Sequence, residues 1–326
     1  MSFSRRQFLR FTVVSAAFPA ISSAASAQDY PARQVRVIVP FAPGGPPDAA
    51  ARLIGQKLSE SLGKQFYVEN LAGASGNIGT GQAAKAEPDG YTVLVTVNNL
   101  VINPSLFETV PYNPYQNFEP VTQAVSYSSA LVVNPSVPAK TVAELVALIK
   151  ANPGKYSYAS PGFGTPTHLL GEQLRVALDL DIVHVPYAGS GPATASIVAG
   201  HTPIGFVGTA AAGPFTRDGK LRTLAVMSKN ASNALPDVPA IAAAGYAGLD
   251  GDGWIGVLVP AGTPKDLVAL LNREIVKIVN SPEMKERFAT LGLDPVGSTP
   301  EAFTKQMRAE DEKWAKVIRA GNIKAK

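Results

Sequence analysis

Apolar residues fall into short β-branched runs that alternate with stretches of helical spacing. Residues 35–41 (VRVIVPF) predict a buried strand from their length and Val/Ile content. Ala42-Pro43-Gly44-Gly45-Pro46-Pro47-Asp48 interrupts it. Ala51, Ile54, Leu58 and Leu62 then recur at helical spacing up to Gly63, which is suited to end a helix. Residues 66–70 (FYVEN) predict a second strand and Gly73-Ala74-Ser75-Gly76-Asn77 a second turn. Residues 78–86 predict a small-residue helix, and 91–97 a third strand after the Asp89-Gly90 turn. The same order recurs as strand 156–160, glycine turn 161–167, helix 168–178, strand 181–187, glycine turn 188–192, a helix to 199 and strand 203–207. Gly45 and Gly73 lie 28 residues apart, and Gly162 and Gly189 lie 27 apart, so two units share one architecture although their residues match poorly. Strands alternating with helices imply an α/β chain with mainly parallel sheets and right-handed crossovers.

Residues 103–120 read as a Pro- and Asn-rich connection, and 130–133 as strand-like. Thr141-Val142-Ala143-Glu144 is a capping box. Residues 221–227 and 254–259 predict strands, and the last 65 residues predict helices. Thr263-Pro264, Ser281-Pro282 and Thr299-Pro300 each put a cap residue before a proline at the first helical position. Leu267, Leu271, Phe303 and Trp314 are assigned to the core.

The first 27 residues do not fit this pattern. Arg5, Arg6 and Arg10 precede an apolar stretch at 11–21 and the small residues Ala25-Ser26-Ala27. This predicts an export signal cleaved near Ala27, and Ser4-Arg5-Arg6-Gln7-Phe8-Leu9-Arg10 resembles the twin-arginine motif. Without this segment, 26 Lys and Arg face 25 Asp and Glu, so the overall charge of +4 gives no nucleic-acid footprint. The expected product is a monomeric periplasmic protein that is not embedded in a membrane. The 326-residue chain is 46 % hydrophobic and 17 % charged, as a globular protein is, and it has no cysteine. Thiol nucleophiles, Cys-ligated zinc and iron–sulfur clusters are thereby excluded.

Ligands of parallel sheets bind at the carboxyl ends of strands. Four such ends carry glycine turns that open helices, at 43–48, 73–77, 161–167 and 189–192, and none contains Lys or Arg. Helix N-termini without a cation favour a carboxylate over a phosphate. Gly73, Gly76, Gly79 and Gly81 have the wrong spacing for a dinucleotide fingerprint, and no cofactor is implied. Nor do the three histidines form a metal-ligand pattern. His168 is expected to hydrogen-bond its own turn, His184 to pack within a strand and His201 to be solvated. Asp48 is expected to cap its helix electrostatically. Phe163, Tyr187 and Trp254 flank glycine turns as candidate apolar walls, with core packing the other reading for Trp254. A serine hydrolase would need His168 beside Ser75, Ser160 or Ser190, with an orienting acid.

The chain resembles the periplasmic receptors of the tripartite tricarboxylate transporter family, often called Bug receptors. The resemblance rests on VIVPFAPGGPPDAAAR (37–52), VENLAGASGNIGTGQAAKAEPDGYTVLV (68–95), YASPGFGTPTHLLGEQL (158–174), VHVPYAGSGPA (183–193), LPDVPAIAAAGY (235–246), VPAGTP (259–264) and STPEAFTKQM with Trp314. It implies a two-lobed, type II Venus-flytrap fold, with 28–126 plus 225–326 as one lobe and 127–224 as the other. It implies a non-catalytic receptor that delivers a small organic carboxylate to the membrane components of a secondary transporter. A sensory receptor serving a membrane signalling protein is the alternative. Carried over, the binding residues are Pro43, Gly44, Gly45, Ser160, Gly162, Gly164 and Thr165, with Thr167 and Ser190 as hydroxyl donors. Phe41, Ser75, Asn77 and Tyr187, on or beside the glycine turns, complete the candidate site. Departures from the family pattern are Leu71, where many relatives carry a cation, and Ser75, where Gly is common. Residues 204–209 also lack the acid that amino-acid-binding relatives use. An amine-free carboxylate is therefore expected, mono- or dicarboxylate rather than tricarboxylate.

Overall fold

A computed structural model describes residues 30–325 except Asn233; the expected export signal lies outside the described residues. The first stretch of chain forms β1 (Val35–Val39), α1 (Pro46–Leu62), β2 (Phe66–Asn70), a 3-10 turn (Ala74–Gly76), α2 (Asn77–Ala83), β3 (Thr92–Val97), α3 (Asn99–Leu106) and β4 (Phe118–Tyr127). A second series follows, with β5 (Ser129–Val133), α4 (Val142–Lys150), β6 (Tyr156–Ser160), α5 (Pro166–Ala177), β7 (Ile182–Pro186), α6 (Ser190–Val198), β8 (Ile204–Gly208), α7 (Thr209–Arg217) and β9 (Arg222–Val226). The chain ends with β10 (Gly253–Pro260), α8 (Lys265–Val279), α9 (Pro282–Thr290), the two-residue β11 (Asp294–Pro295) and α10 (Pro300–Gly321).

These strands build two sheets, ordered β11-β4-β10-β3-β1-β2 and β7-β6-β8-β5-β9. The chain passes between them at 127–129 and again between β9 and β10. Pairing is parallel within β1–β3 and β6–β8, as expected from their helical crossovers. The sheets as wholes are mixed, because β10 runs antiparallel to β3 and β4, and β5 to β8 and β9. A strand that enters from the other sheet is not held to parallel pairing by a local crossover. Residues 103–120 are not simply a connection, since they contain part of α3, with Pro104 inside it, and the start of β4. α7, with Pro214 inside it, is a further helix that the sequence pattern does not mark.

Period-two alternation sends Val35, Val37 and Val39 of β1 into a core shared with α1, α8 and α9. Ile38 points the other way, into a cluster with Leu94, Trp254 and Phe303. Both faces of the sheet are therefore covered, as continuous apolar runs require. α1 starts at two prolines and stops at Gly63, whose φ of 75° suits a residue without Cβ. Ser281 and Thr299 cap α9 and α10 through their side chains. α8 starts one residue later than expected, and Thr263 instead donates its hydroxyl to the Pro260 carbonyl at 2.7 Å. The third core, on the second sheet, takes in Ile102 and Leu106 of α3 and Trp314 and Ile318 of α10. Those two helices belong by connection to the strands of the first sheet, yet they pack against both.

Candidate ligand-binding cleft

Strand ends from the two sheets converge on a cavity of about 520 Å³, within the range of small-molecule sites. The first sheet supplies Phe41, Gly44 and Gly45 from the turn after β1 and Pro46 and Pro47 from the start of α1. It also supplies Val97 and Asn99 at the β3–α3 junction and Tyr127 at the end of β4. The second supplies Pro161, Thr165, Pro166 and Thr167 after β6, Gly189, Ser190 and Gly191 after β7, and Gly208 at the end of β8. None of these lining residues carries a charged side chain.

Of the candidate residues, Phe41, Gly44, Gly45, Thr165, Thr167 and Ser190 stand on the cavity wall. Pro43 is exposed on the adjoining turn. The Asn77 side chain turns towards α3, where Asn103 Nδ2 donates to Asn77 Oδ1 at 2.7 Å and to the Ser75 backbone carbonyl at 3.0 Å. Ser160 is fully buried beneath its turn, with Oγ 2.7 Å from His184 Nε2. Gly162 and Gly164 shape the turn behind the wall, and Gly164 N–H donates to His168 Nδ1 at 3.1 Å. Tyr187 OH lies 2.5 Å from Ser196 Oγ and 2.8 Å from Thr202 Oγ1, anchored at α6 rather than on the cavity. The Phe163 ring packs tilted against His168, and Trp254 is core, with its indole N–H donating to Glu310 at 3.1 Å.

Val97, Asn99, Tyr127 and Gly208 also line the cavity, outside the glycine turns. Their only sequence signal is that each closes a strand or follows one directly. That Asn99 and Tyr127 would face the second sheet's turns is a tertiary fact. Asn99 Nδ2 reaches the Gly164 carbonyl at 3.4 Å, one contact between the two halves.

Asp48 serves its own turn. Burial opposes its ionisation, but hydrogen bonds from Arg52, Gly44 N–H and Asn70 outweigh that and hold the carboxyl below the usual carboxylate range. The rings of His168 and His184 stack with centroids 3.9 Å apart. Burial pushes their pKa values down to about 3 and about 4, with mutual repulsion adding to the effect at His168. Both are neutral near pH 7. The histidine that meets Ser160 is His184, not His168. Among the described residues no carboxylate hydrogen-bonds either ring, and no cluster could hold a metal ion. Nor is any described helix long and apolar enough to cross a membrane.

Two α/β halves that enclose a cavity of backbone amides, hydroxyls and apolar walls define a solute-binding receptor. Residues 50–323 match the family described as tripartite tricarboxylate transporter family receptor, and the chain belongs to that family. BugT of Bordetella pertussis is 36 % identical over 308 residues, 94 % of each chain. A structure from R. palustris with adipate is 31 % identical, with a TM-score of 0.81 over 91 % of this chain and 100 % of the other. MatC of Rhodopseudomonas palustris with bound malate is 29 % identical, with a TM-score of 0.77 over 89 % and 100 %. Members of the family are periplasmic binding receptors, and this chain is a receptor rather than an enzyme.

Proposed function

We propose that this receptor captures a small amine-free organic carboxylate between its two lobes in the periplasm and delivers it to the membrane components of a tripartite secondary transporter. The observation that carries this reading is the cavity wall: Thr167 and Ser190 offer uncharged donors at helix N-termini, and no lining side chain is acidic. Amides and hydroxyls aimed into a partly closed site hold a carboxylate, whereas a ligand ammonium buried there would lack its counter-charge. The solved relatives with adipate and malate support the carboxylate class. A ligand that touches both halves favours the closed population, which is the form the membrane partner would recognise. On this reading the working protein is a monomer released by cleavage near Ala27, with lobes 28–126 plus 225–326 and 127–224.

A thermal-shift screen of residues 28–326 tests the proposal. A ligand at 100 times its Kd adds about 2.7 kcal/mol, a rise in Tm of several degrees at about 2 °C per kcal/mol. Amine-free carboxylates should raise Tm and amino acids should leave it unchanged. A shift with amino acids alone, or with no carboxylate, refutes it.

A further inference from the structure

Several polar groups on the cavity wall are already spent within the protein. Gly44 N–H donates to Asp48 Oδ2 at 2.9 Å. The Thr165 hydroxyl donates to the Gly162 carbonyl at 2.7 Å, which leaves Thr167 as the donor in the 3.0 Å contact between the two threonine hydroxyls. The Asn99 amide reaches the Gly164 carbonyl at 3.4 Å. What the turns keep for a ligand is chiefly backbone N–H, from Gly45 on one wall and from Thr167, Ser190 and Gly191 on the other, with the Ser190 hydroxyl beside them.

Tyr127 differs from all of these. It stands where β4 passes to β5 and the chain crosses between the sheets, away from the glycine turns. Gly253 is its directly opposed partner on β10, and the tip of the Tyr127 ring lies where a Gly253 Cβ would be. The missing Cβ lets the ring cross β10 towards β3, whose Val97 shares the cavity wall. Burial raises the phenol above its ordinary pKa, and the charge of Glu310 adds to the effect, so the group keeps its proton near pH 7. Among the described residues that proton has no hydrogen-bond acceptor, although a buried phenol ordinarily finds one.

We propose that Tyr127 is a specificity-determining residue, whose phenol donates to a second acceptor oxygen of the ligand, remote from the carboxylate held by the N–H groups of the turns. This rests on the carboxylate-receptor reading above and deepens it. An acid that ends in a methyl group covers the phenol and leaves its proton unpaired, and a site built around a hydrogen bond rejects such an analogue. Gly253 positions the ring for this contact.

Calorimetric titration of residues 28–326 tests the proposal with straight-chain probes. Succinate, glutarate and adipate are each compared with the monocarboxylate of equal length, butanoate, pentanoate and hexanoate. At least one dicarboxylate should bind about tenfold tighter than its monocarboxylate, or more. Tyr127→Phe keeps the ring over Gly253 and removes only the hydroxyl. It should weaken that dicarboxylate by about the same factor and close its lead, with the Tm of the ligand-free protein unchanged, because the lost hydroxyl had no protein partner. A lead that survives in Tyr127→Phe, an equal loss on both acids, or no lead in the unaltered protein overturns the inference and leaves the carboxylate receptor standing. If none of the six acids binds, the inference falls, and if the thermal-shift screen also finds no acid, the receptor reading falls with it.

Discussion

His168 and His184 hold the loop behind the cavity only while they are neutral. His168 must keep a lone pair on Nδ1 to accept from Gly164, and a charged imidazole stacked 3.9 Å from its neighbour would be costly. Their folded pKa values, about 3 and about 4, lie below the ordinary 6.5, so the unfolded chain binds more protons across the intervening pH range. Their contribution to stability is therefore full above about pH 6.5 and declines as pH falls, by up to about 1.4 kcal/mol per pH unit for each. Asp252 acts in the opposite sense. Burial raises its carboxyl to about 6, a cost to the fold near pH 7 that protonation relieves. Comparing variants separates the two effects. His184→Gln should be destabilised relative to the parent at pH 7, with the difference shrinking steadily between pH 6.5 and 4.5. Urea unfolding at several pH values measures this, and a difference independent of pH would contradict the neutral-stack account.

β10 is the element on which the site is levelled. Three of its residues serve its neighbours directly: Trp254 and Ile255 fill opposite faces of the sheet, and Gly253 lies directly under the Tyr127 ring. A Cβ at Gly253 would collide with that ring, which also forms part of the cavity wall. Gly253→Ala should therefore cost about 1–3 kcal/mol through overpacking and weaken ligand binding at the same time. A variant of unchanged stability and affinity would show that Tyr127 repacks freely. The two glycines of β10 keep their place because aromatic side chains occupy the space above them, with Phe303 over Gly256 as Tyr127 is over Gly253.

Over the whole molecule, α10 joins the two halves. At about 1.5 Å per residue its 22 residues reach roughly 33 Å. Phe303 and Met307 sit in a core of the first sheet, and Trp314 and Ile318 in the core of the second. Between them Glu310 is buried and accepts from Asn98, Trp254 and Gln306, so the middle of the helix is tied to β10 and the start of α3. Relative motion of the sheets must accommodate this helix as well as the two strand crossings. Trp314→Ala should cost about 3–5 kcal/mol and expose the second sheet's core first. Hydrogen exchange would then show β6 and β8 losing protection ahead of β1 and β3. Uniform loss of protection across both sheets would mean that the helix does not divide its support in this way.

Local chemistry determined what was legible in the chain alone. β-Branched runs, proline punctuation and glycine turns identify β1–β3 with α1 and α2, and β6–β8 with α5 and α6, because each of these choices is made within a few residues. The same turns locate Phe41, Gly44, Gly45, Thr165, Thr167 and Ser190 near a common cavity. Tertiary structure alone decided the rest. α3 and β4 contain Pro104 and Pro120 and lack a clean period, and they form because Ile102, Leu106, Val121 and Val125 are buried by distant partners. The antiparallel places of β4, β5, β9 and β10 follow from strands changing sheets, which no local pattern records. Asn77, Ser160 and Tyr187 read as binding residues in sequence, yet their side chains hydrogen-bond to Asn103, His184, Ser196 and Thr202. A buried polar group must find a partner, and which partner is within reach depends on how the chain has folded around it.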